Sequence, residues 1–300
     1  MENDVEYWNS DDEEAADPSA PTFKWIKGAL ISSGPFGNVY LGLNVVNGEL
    51  MTVKQVEFPI GQSEKEDKKQ SMLDGLQREI SFLKELRHEN LVQYLGFQYD
   101  QNCLCIISEY VPGPLSEIIK DYGPLEESLA RSFVKQILRG LDYLHQRDII
   151  HRDIKAANIF VDNKGVTKIS DYGISKEMKE EIMSVTTAHR PSLQESVYWM
   201  APEVVKQTTY TTKADIWSLG CLVIELFTGK RPFPTLHYAQ AVFKIGSSCA
   251  PEIPEDISND AKDFLKKTFE PDHTKRPSTS ELRNHPFVTS KVEGSPQSYP

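Results

Sequence analysis

An aspartate, a lysine two residues on and an asparagine five residues on make up the reactive groups of the run His151-Arg152-Asp153-Ile154-Lys155-Ala156-Ala157-Asn158. A second carboxylate, Asp171, follows eighteen residues after Asp153, in Asp171-Tyr172-Gly173. These groups suit phosphoryl transfer. Asp153 would accept the proton of an attacking hydroxyl. Asn158 and Asp171 would give oxygen ligands to the Mg²⁺ ions that bridge the phosphates, and Lys155 would neutralise charge on the transferring group. The competing reading is a charged surface loop, and it weakens as further motifs fall in order on either side.

The elements that would position these groups are legible around them. Ile149 and Ile150 lead into the loop, and Ile159-Phe160-Val161 follow it as a short strand. Upstream, alternating apolar positions flank a glycine-rich turn in Ala29–Gly42, which reads as a β-hairpin. Its Gly34 and Gly37 would let backbone N–H groups approach phosphates. Lys54, twenty residues after Gly34, lies in a predicted strand Leu50–Val56. A helix is predicted over Met72–Leu86, with Leu73, Leu76, Ile80, Leu83 and Leu86 on one face and Glu79 beside it. Strands are predicted over Leu91–Gln98 and Cys103–Ser108, and Glu109–Pro114 breaks the pattern as a boundary between lobes. Beyond it the chain is helical. Leu115–Lys120 is short, and Glu126–His145 carries a stripe of Phe133, Ile137, Leu138, Leu141 and Leu144. Ala214–Thr228, apolar nearly all round and followed by Gly229, is the expected buried core helix.

Charge narrows the function. The net charge is −11, but residues 1–20 hold eight acids and no Lys or Arg, so the remainder is nearly neutral and offers no basic stripe for nucleic acid. Residues 1–22 read as a disordered acidic tail, either inert or a docking or autoregulatory arm, and 289–300 as a second tail. Cys103, Cys105, Cys221 and Cys249 form no C-x-x-C pair, which argues against zinc and for reduced thiols in a cytoplasmic setting. The acidic start is unlike a signal peptide. The apolar stretch Cys221–Phe227, interrupted by Glu225, is too short to span a bilayer.

Taken together, HRDIKAAN, the Asp-Tyr-Gly triplet, Val53-Lys54, the glycine-rich hairpin and Ala201-Pro202-Glu203 resemble the catalytic domain of eukaryotic protein kinases over residues 23–288. The resemblance implies an α+β bilobal fold: a small lobe (23–110) with a five-stranded antiparallel sheet and helix αC, a hinge (109–113), and a larger, mainly helical lobe (114–288). It implies ATP and Mg²⁺ as cofactors. Asp153, Lys155, Lys54 and its ion-pair partner Glu79 would be the catalytic set, with Asn158 and Asp171 on the metal. Ile31, Gly34, Phe36, Gly37, Val39, Lys54, Ser108, Glu109 and Val111 would hold ATP, Glu109 and Val111 through backbone groups facing adenine. The small Ser108, just before the hinge, implies an enlarged pocket behind adenine. Residues 171–203 would be the activation segment, with Ser184, Thr186, Thr187 and Ser196 as candidate phosphorylation sites. Asp215 would anchor the catalytic loop, and Arg276 would pair with Glu203.

Lys155 and Ser196 fit the serine/threonine class. KWIKGALI, GELMTVKQVE, RPSLQESVYWMAPEVVKQ, KADIWSLGCLVIELFTGKRPFP and FKIGSSCAPEIP are similar to the fungal MAP kinase kinase kinases of the pheromone and stress pathways. That likeness implies a MAP kinase kinase as substrate, with an upstream activating kinase or scaffold as further partner. Such kinases carry long regulatory regions ahead of the catalytic domain, so the chain reads as a fragment or an engineered catalytic domain. Three positions depart from the pattern. Ser32 replaces a loop glycine, at roughly 1–2 kcal/mol if φ is positive there and at almost nothing if the backbone is extended. Pro35 stiffens the hairpin tip. Glu195 stands where kinases usually have glycine. It would repel Asp153 or a phosphate by roughly 2 kcal/mol at ~8 Å, pair with Arg152 in imitation of a phosphate, or remain a solvated acid. A non-catalytic scaffold is the alternative these departures favour, but every charged group the reaction needs is retained.

Overall fold

The computed structural model describes residues 23–34, 37–57, 81–100, 103–172, 196–208 and 210–290. Phe36, Glu79, Pro35, Ser184, Thr186, Thr187 and Glu195 lie outside the described residues, as do tail residues 1–22 and 291–300 and most of the expected helix Met72–Leu86. The chain divides into two compact units.

The first unit is a five-stranded antiparallel sheet in the order β1-β2-β3-β5-β4, with β1 Trp25–Gly34, β2 Gly37–Asn44, β3 Leu50–Glu57, β4 Tyr94–Asp100 and β5 Cys103–Glu109. Period-two alternation drives it. Met51, Val53 and Val56 of β3 are buried, and Met51 and Val53 pack with Trp25, Cys105 and Ile107 in one cluster that Phe23, Leu95 and Cys103 extend. The two alternating cysteines thus share a face, as small groups packed in the sheet core, and none of the four cysteines is in a disulfide. Residues 81–85 are helical, and Leu83 and Leu86 are buried.

One strand starts later than its composition implies. The apolar run beginning at Leu91 reads as continuous strand, but β4 begins at Tyr94. Leu91 instead bridges Ile169, whose N–H bonds the neighbouring Asn90 carbonyl at 3.0 Å, so this stretch belongs to the second unit.

In the second unit, α1 (Leu115–Tyr122) and α2 (Glu127–His145) follow the boundary segment, and every residue of the expected α2 stripe is buried. The short strands β6 (Ile159–Val161) and β7 (Thr167–Ile169) pair antiparallel just after the reactive loop. Helix α3 (Lys213–Thr228) is the core: twelve of its sixteen residues are buried, so it is wrapped on all sides. Gly229 ends it in the left-handed conformation, φ 67°, which glycine adopts without steric cost. Helices α4 (Tyr238–Gly246) and α5 (Asn259–Thr268) complete the layer. Gly220 of α3 lets Thr268 and Phe269 approach so closely that a Cβ there would sit 2.3 Å from the Thr268 hydroxyl. The buried Arg276 grips Glu203 with both guanidinium nitrogens, at 2.7 and 3.2 Å, and donates to the Lys213 carbonyl at 2.6 Å. Burying that charge is tolerable because each side of the pair is bonded. Among the described residues, no helix is long and apolar enough to cross a membrane.

Candidate active site

The sequence-selected residues fall into two groups, one per unit. In the sheet unit, Ile31 lies on β1, and Gly34 pairs with Gly37 where the β1–β2 ladder closes. Gly37 has φ 108°, and a Cβ there would lie 1.8 Å from the Gln55 carbonyl oxygen. Only glycine fits. Ser32 by contrast is paired with Val39 inside β1 and has no positive φ, so its serine carries no backbone strain. Lys54 stands on β3 opposite Val39 and Ile106. Ser108 and Glu109 end β5. The Glu109 N–H bonds Gln93 O at 2.9 Å, and its Oε1 accepts from Gln93 N at 2.8 Å, which fixes the strand end just before the buried Val111. Gly37→Ala is expected to cost at least ~2 kcal/mol through the left-handed backbone and the blocked Cβ. That is a Tm drop of roughly 4–8 °C in a thermal melt. A drop within about 1 °C would show that the hairpin tip moves aside freely.

The helical unit gathers the other group tightly. Lys155 Nζ lies 3.0 Å from Asp153 Oδ2 and donates to Ser196 Oγ at 2.7 Å. The Asn158 amide donates to the Asp153 carbonyl at 2.7 Å and to its Oδ2 at 2.9 Å. With its N–H groups turned onto Asp153, Asn158 keeps its carbonyl oxygen for other use. That oxygen and the Asp171 carboxylate are the oxygen donors a hard cation such as Mg²⁺ takes, with phosphate and water completing the shell. The chemistry of these two donors therefore suits a hard divalent cation.

The backbone that carries these side chains is held from beneath. The Asp153 N–H donates to His151 Nδ1 at 3.2 Å. Nδ1 is then an acceptor, so His151 carries its proton on Nε2 and donates it to the Ser170 carbonyl at 2.7 Å. Ser170 in turn donates its N–H to the Asn158 carbonyl at 2.9 Å. The residue just before Asp171 is thereby tied to both ends of the reactive loop. The deepest anchor is Asp215, fully buried at the start of α3. Its Oδ2 accepts from His145 Nε2 at 2.7 Å and His151 N at 2.9 Å, and its Oδ1 accepts from Arg152 N at 2.9 Å. Burial pushes this carboxyl up, but the His145 hydrogen bond and charge, together with His151, outweigh it and hold Asp215 below the ordinary aspartate value. Arg152 and Asp171, which flank the chemistry, both have positive φ, 73° and 55°.

One participant was visible in the sequence only as a blemish in an apolar run. Glu225 of α3 accepts the Ala156 N–H at 3.2 Å and the Trp199 indole N–H at 3.0 Å, both on Oε2. Burial pushes its carboxyl up to about 7, against the pull of those two donors and of the Lys155 charge. An acid inside the apolar run Cys221–Phe227 was itself the available signal.

A fold of this kind, carrying an Asp-Lys-Asn loop anchored on a buried aspartate, is that of a protein kinase. Residues 25–288 match the protein kinase domain model, and the chain belongs to that family. Protein kinase domains as a family use ATP with a divalent metal ion. Among curated relatives, the chain is 58% identical to the mitogen-activated protein kinase kinase kinase MST11 of Pyricularia oryzae over 89% of its own length and 30% of that protein. It is 45% identical to the serine/threonine-protein kinase STE11 of Saccharomyces cerevisiae over 97% of its length and 46% of that protein. It is 46% identical to the mitogen-activated protein kinase kinase kinase ANP1 of Arabidopsis thaliana over 91% of its length and 41% of that protein. The chain thus spans less than half the length of these relatives.

Proposed function

We propose that this chain is the catalytic domain of a serine/threonine kinase that passes the γ-phosphate of Mg-ATP to Ser/Thr of a MAP kinase kinase. The observation that carries this reading is the joining of Asp153, Lys155 and Asn158 on one anchored loop, with Ser196 from a separate segment within hydrogen-bond distance of Lys155. Asp153 orients the attacking hydroxyl and takes its proton. Lys155 meets charge on the transferring group. The Ser196 hydroxyl sits on Lys155, the arrangement expected of the serine/threonine class, and Ser184, Thr186, Thr187 and Ser196 are the candidate phosphorylation sites of this reading. Asn158 and Asp171 would hold Mg²⁺, which when bound offsets the phosphate charge. Lys54, with Glu79, would hold the α/β-phosphates beneath the glycine turn at Gly34, Phe36 and Gly37. Ile31, Val39, Ser108, Glu109 and Val111 would line the adenine. The MAP kinase kinase assignment rests on the likeness to MAP kinase kinase kinases. An upstream activating kinase or scaffold, and a cytoplasmic setting, belong to the same reading.

The test is phosphate transfer from Mg-ATP to a kinase-dead MAP kinase kinase, beside a generic basic protein substrate. Transfer to both supports the proposal. Transfer only to the generic protein keeps the kinase and removes the pathway. ATP binding without transfer to either, after phosphorylation of the 171–203 segment, favours the scaffold.

A further inference from the structure

The near-neutral charge of the chain beyond its acidic start conceals one local concentration of positive charge. Lys135, Arg139, Tyr143 and Arg147 follow at four-residue spacing along α2 and the turn after it, so they lie on one face. A turn earlier, Arg131 is paired with Glu127 at 2.9 Å, which offsets its charge. Lys135 and Arg139 lack such a partner. The only acid three or four residues from either is Asp142, which is buried and already bonded. It accepts from the hydroxyls of Thr279 at 2.8 Å and Ser280 at 2.7 Å, from the Gln146 amide at 2.9 Å and from the Arg283 guanidinium. Among the described residues, Lys135 and Arg139 have no ion-pair partner, and both are exposed. Like charges at this spacing repel, so the helix itself gains nothing from them. His88 and Arg283 close the patch from other segments. The His88 ring stands 4.9 Å from that of Tyr143, and the Arg147 guanidinium lies 3.6 Å over the same ring. His88 Nδ1 accepts the Asn90 N–H at 3.0 Å, which leaves Nε2–H as its donor. Burial, with the charges of Arg139, Arg283 and Arg147 at hand, pushes this histidine below its ordinary value against the pull of Glu89. The cations Lys135, Arg139, Arg147 and Arg283 thus face only Glu89 and the bonded Asp142.

We propose that this face of α2 is a docking site for an acidic peptide segment, and that the segment is Asp11-Asp12-Glu13-Glu14 of the same chain. Charge complementarity carries the choice of occupant. Residues 1–20 hold eight acids and no Lys or Arg, and four of the acids are consecutive at 11–14. Chain length allows the contact. The acidic segment joins the fold at Phe23, whose ring packs over Gly96 so closely that a Cβ on Gly96 would sit 2.8 Å from it. Gly96 follows His88 by eight residues, which can span no more than roughly 29 Å. The nine to twelve residues between the acidic run and Phe23 span up to roughly 32–43 Å. A segment tethered this closely has an effective concentration near ~1 mM, so even a contact with a Kd of ~0.1 mM is about nine-tenths formed within the chain. The inference is independent of the kinase reading, since no residue of the patch takes part in the proposed chemistry.

The experiment follows the anisotropy of a fluorescein-labelled peptide of residues 1–20 as full-length chain is added. The chain is used as wild type and with its own acidic run neutralised by Asp11→Asn, Asp12→Asn, Glu13→Gln and Glu14→Gln. The neutralised chain should bind the peptide about tenfold more tightly, because the wild-type segment competes for the same face from a tether. Placing Lys135→Glu and Arg139→Glu in the neutralised chain should weaken binding at least fivefold, with Tm within roughly 2 °C, as for exposed substitutions. Lys135→Met and Arg139→Met, which remove the charge and keep the length, decide the matter should the reversed charges disturb folding. Raising salt from 50 to 200 mM should weaken the contact at least threefold, because both sides are exposed. Equal binding to the wild-type and neutralised chains overturns the proposal, as does binding that survives the loss of Lys135 and Arg139 within twofold. So does single-stranded DNA of equal charge that displaces the labelled peptide better than the unlabelled peptide does, since the face would then read phosphate. Sedimentation velocity should show a wild-type monomer. A dimer that Arg139→Glu disperses would place the segment on a second copy and overturn the assignment to the same chain.

Discussion

Asp153→Asn is expected to lower kcat for phosphate transfer by roughly 10²–10⁴-fold, the range that general acid–base groups contribute, with little change in fold stability. The asparagine is nearly isosteric, and its carbonyl oxygen still accepts the Asn158 amide that Asp153 Oδ2 accepts at 2.9 Å. The Asp153 N–H remains on His151. The loop therefore keeps its backbone ties, and Tm should move by no more than about 4 °C, the equivalent of ~1 kcal/mol. The lost features are the negative charge and the proton affinity. Lys155 Nζ loses its ion pair at 3.0 Å and keeps its bond to Ser196 Oγ. The attacking hydroxyl would lose the group proposed to orient it and take its proton. ATP affinity should stay within about threefold, because the sheet-borne residues proposed to hold the nucleotide are untouched. The check is steady-state transfer alongside ATP titration and a thermal melt. Retention of activity within tenfold would remove Asp153 from the chemistry, and a Tm loss above about 10 °C would recast it as a structural residue.

The chain advertises its chemistry more openly than its supports. Asp153, Lys155, Asn158 and Asp171 stand out because their types and spacing are local, and the α3 helix and the β1–β3 hairpins stand out because their periodicities are local too. Contacts that depend on distant partners are harder to read. Leu91 looks like strand until its bridge to Ile169, 78 residues on, is known. Nothing in the type of Arg152 announces positive φ, a conformation enriched in glycine, asparagine, aspartate and histidine. His151 shows no tautomer in the sequence, because that is set by a backbone N–H on one side and a carbonyl on the other. Ser32 is the reverse case: it looked like a departure and proves harmless, since the backbone there is extended in β1. Pro35 and Glu195, the other two departures, lie outside the described residues.

Asp215→Ala is the second large effect, and it separates anchoring from chemistry. The substitution strands three donors at once: His145 Nε2–H, His151 N–H and Arg152 N–H, around a carboxylate with no solvent exposure. At ~1–3 kcal/mol for each buried donor left unpaired, the expected loss is roughly 3–6 kcal/mol after partial relaxation. That is a large share of the whole stability of a domain. A second consequence reaches the active site. Arg152 sits at φ 73°, a conformation costing ~1–2 kcal/mol for a side chain of its kind, and the Asp215 Oδ1 bond to its N–H helps hold it there. Released, Arg152 returns to negative φ and swings the next residue, Asp153, off its line. Folded Asp215→Ala should therefore lose at least ~10²-fold in kcat, as a displaced catalytic group does. His145→Ala, which removes one of the three donors and leaves both backbone bonds, should lose stability with far less loss of kcat. The linkage with pH has a definite sign. Asp215 is held below its ordinary value in the folded chain, so its contribution is fully present above the unfolded aspartate value and is lost as pH falls through the lower, folded one. Urea titration of both variants at neutral pH, with kcat measured well below the midpoint, decides the matter. Equal loss of stability with kcat intact in Asp215→Ala would make Asp215 a fold anchor alone. Loss of both shows that the strained turn before Asp153 is maintained by the core helix, and that the reactive loop is only as well placed as α3 beneath it.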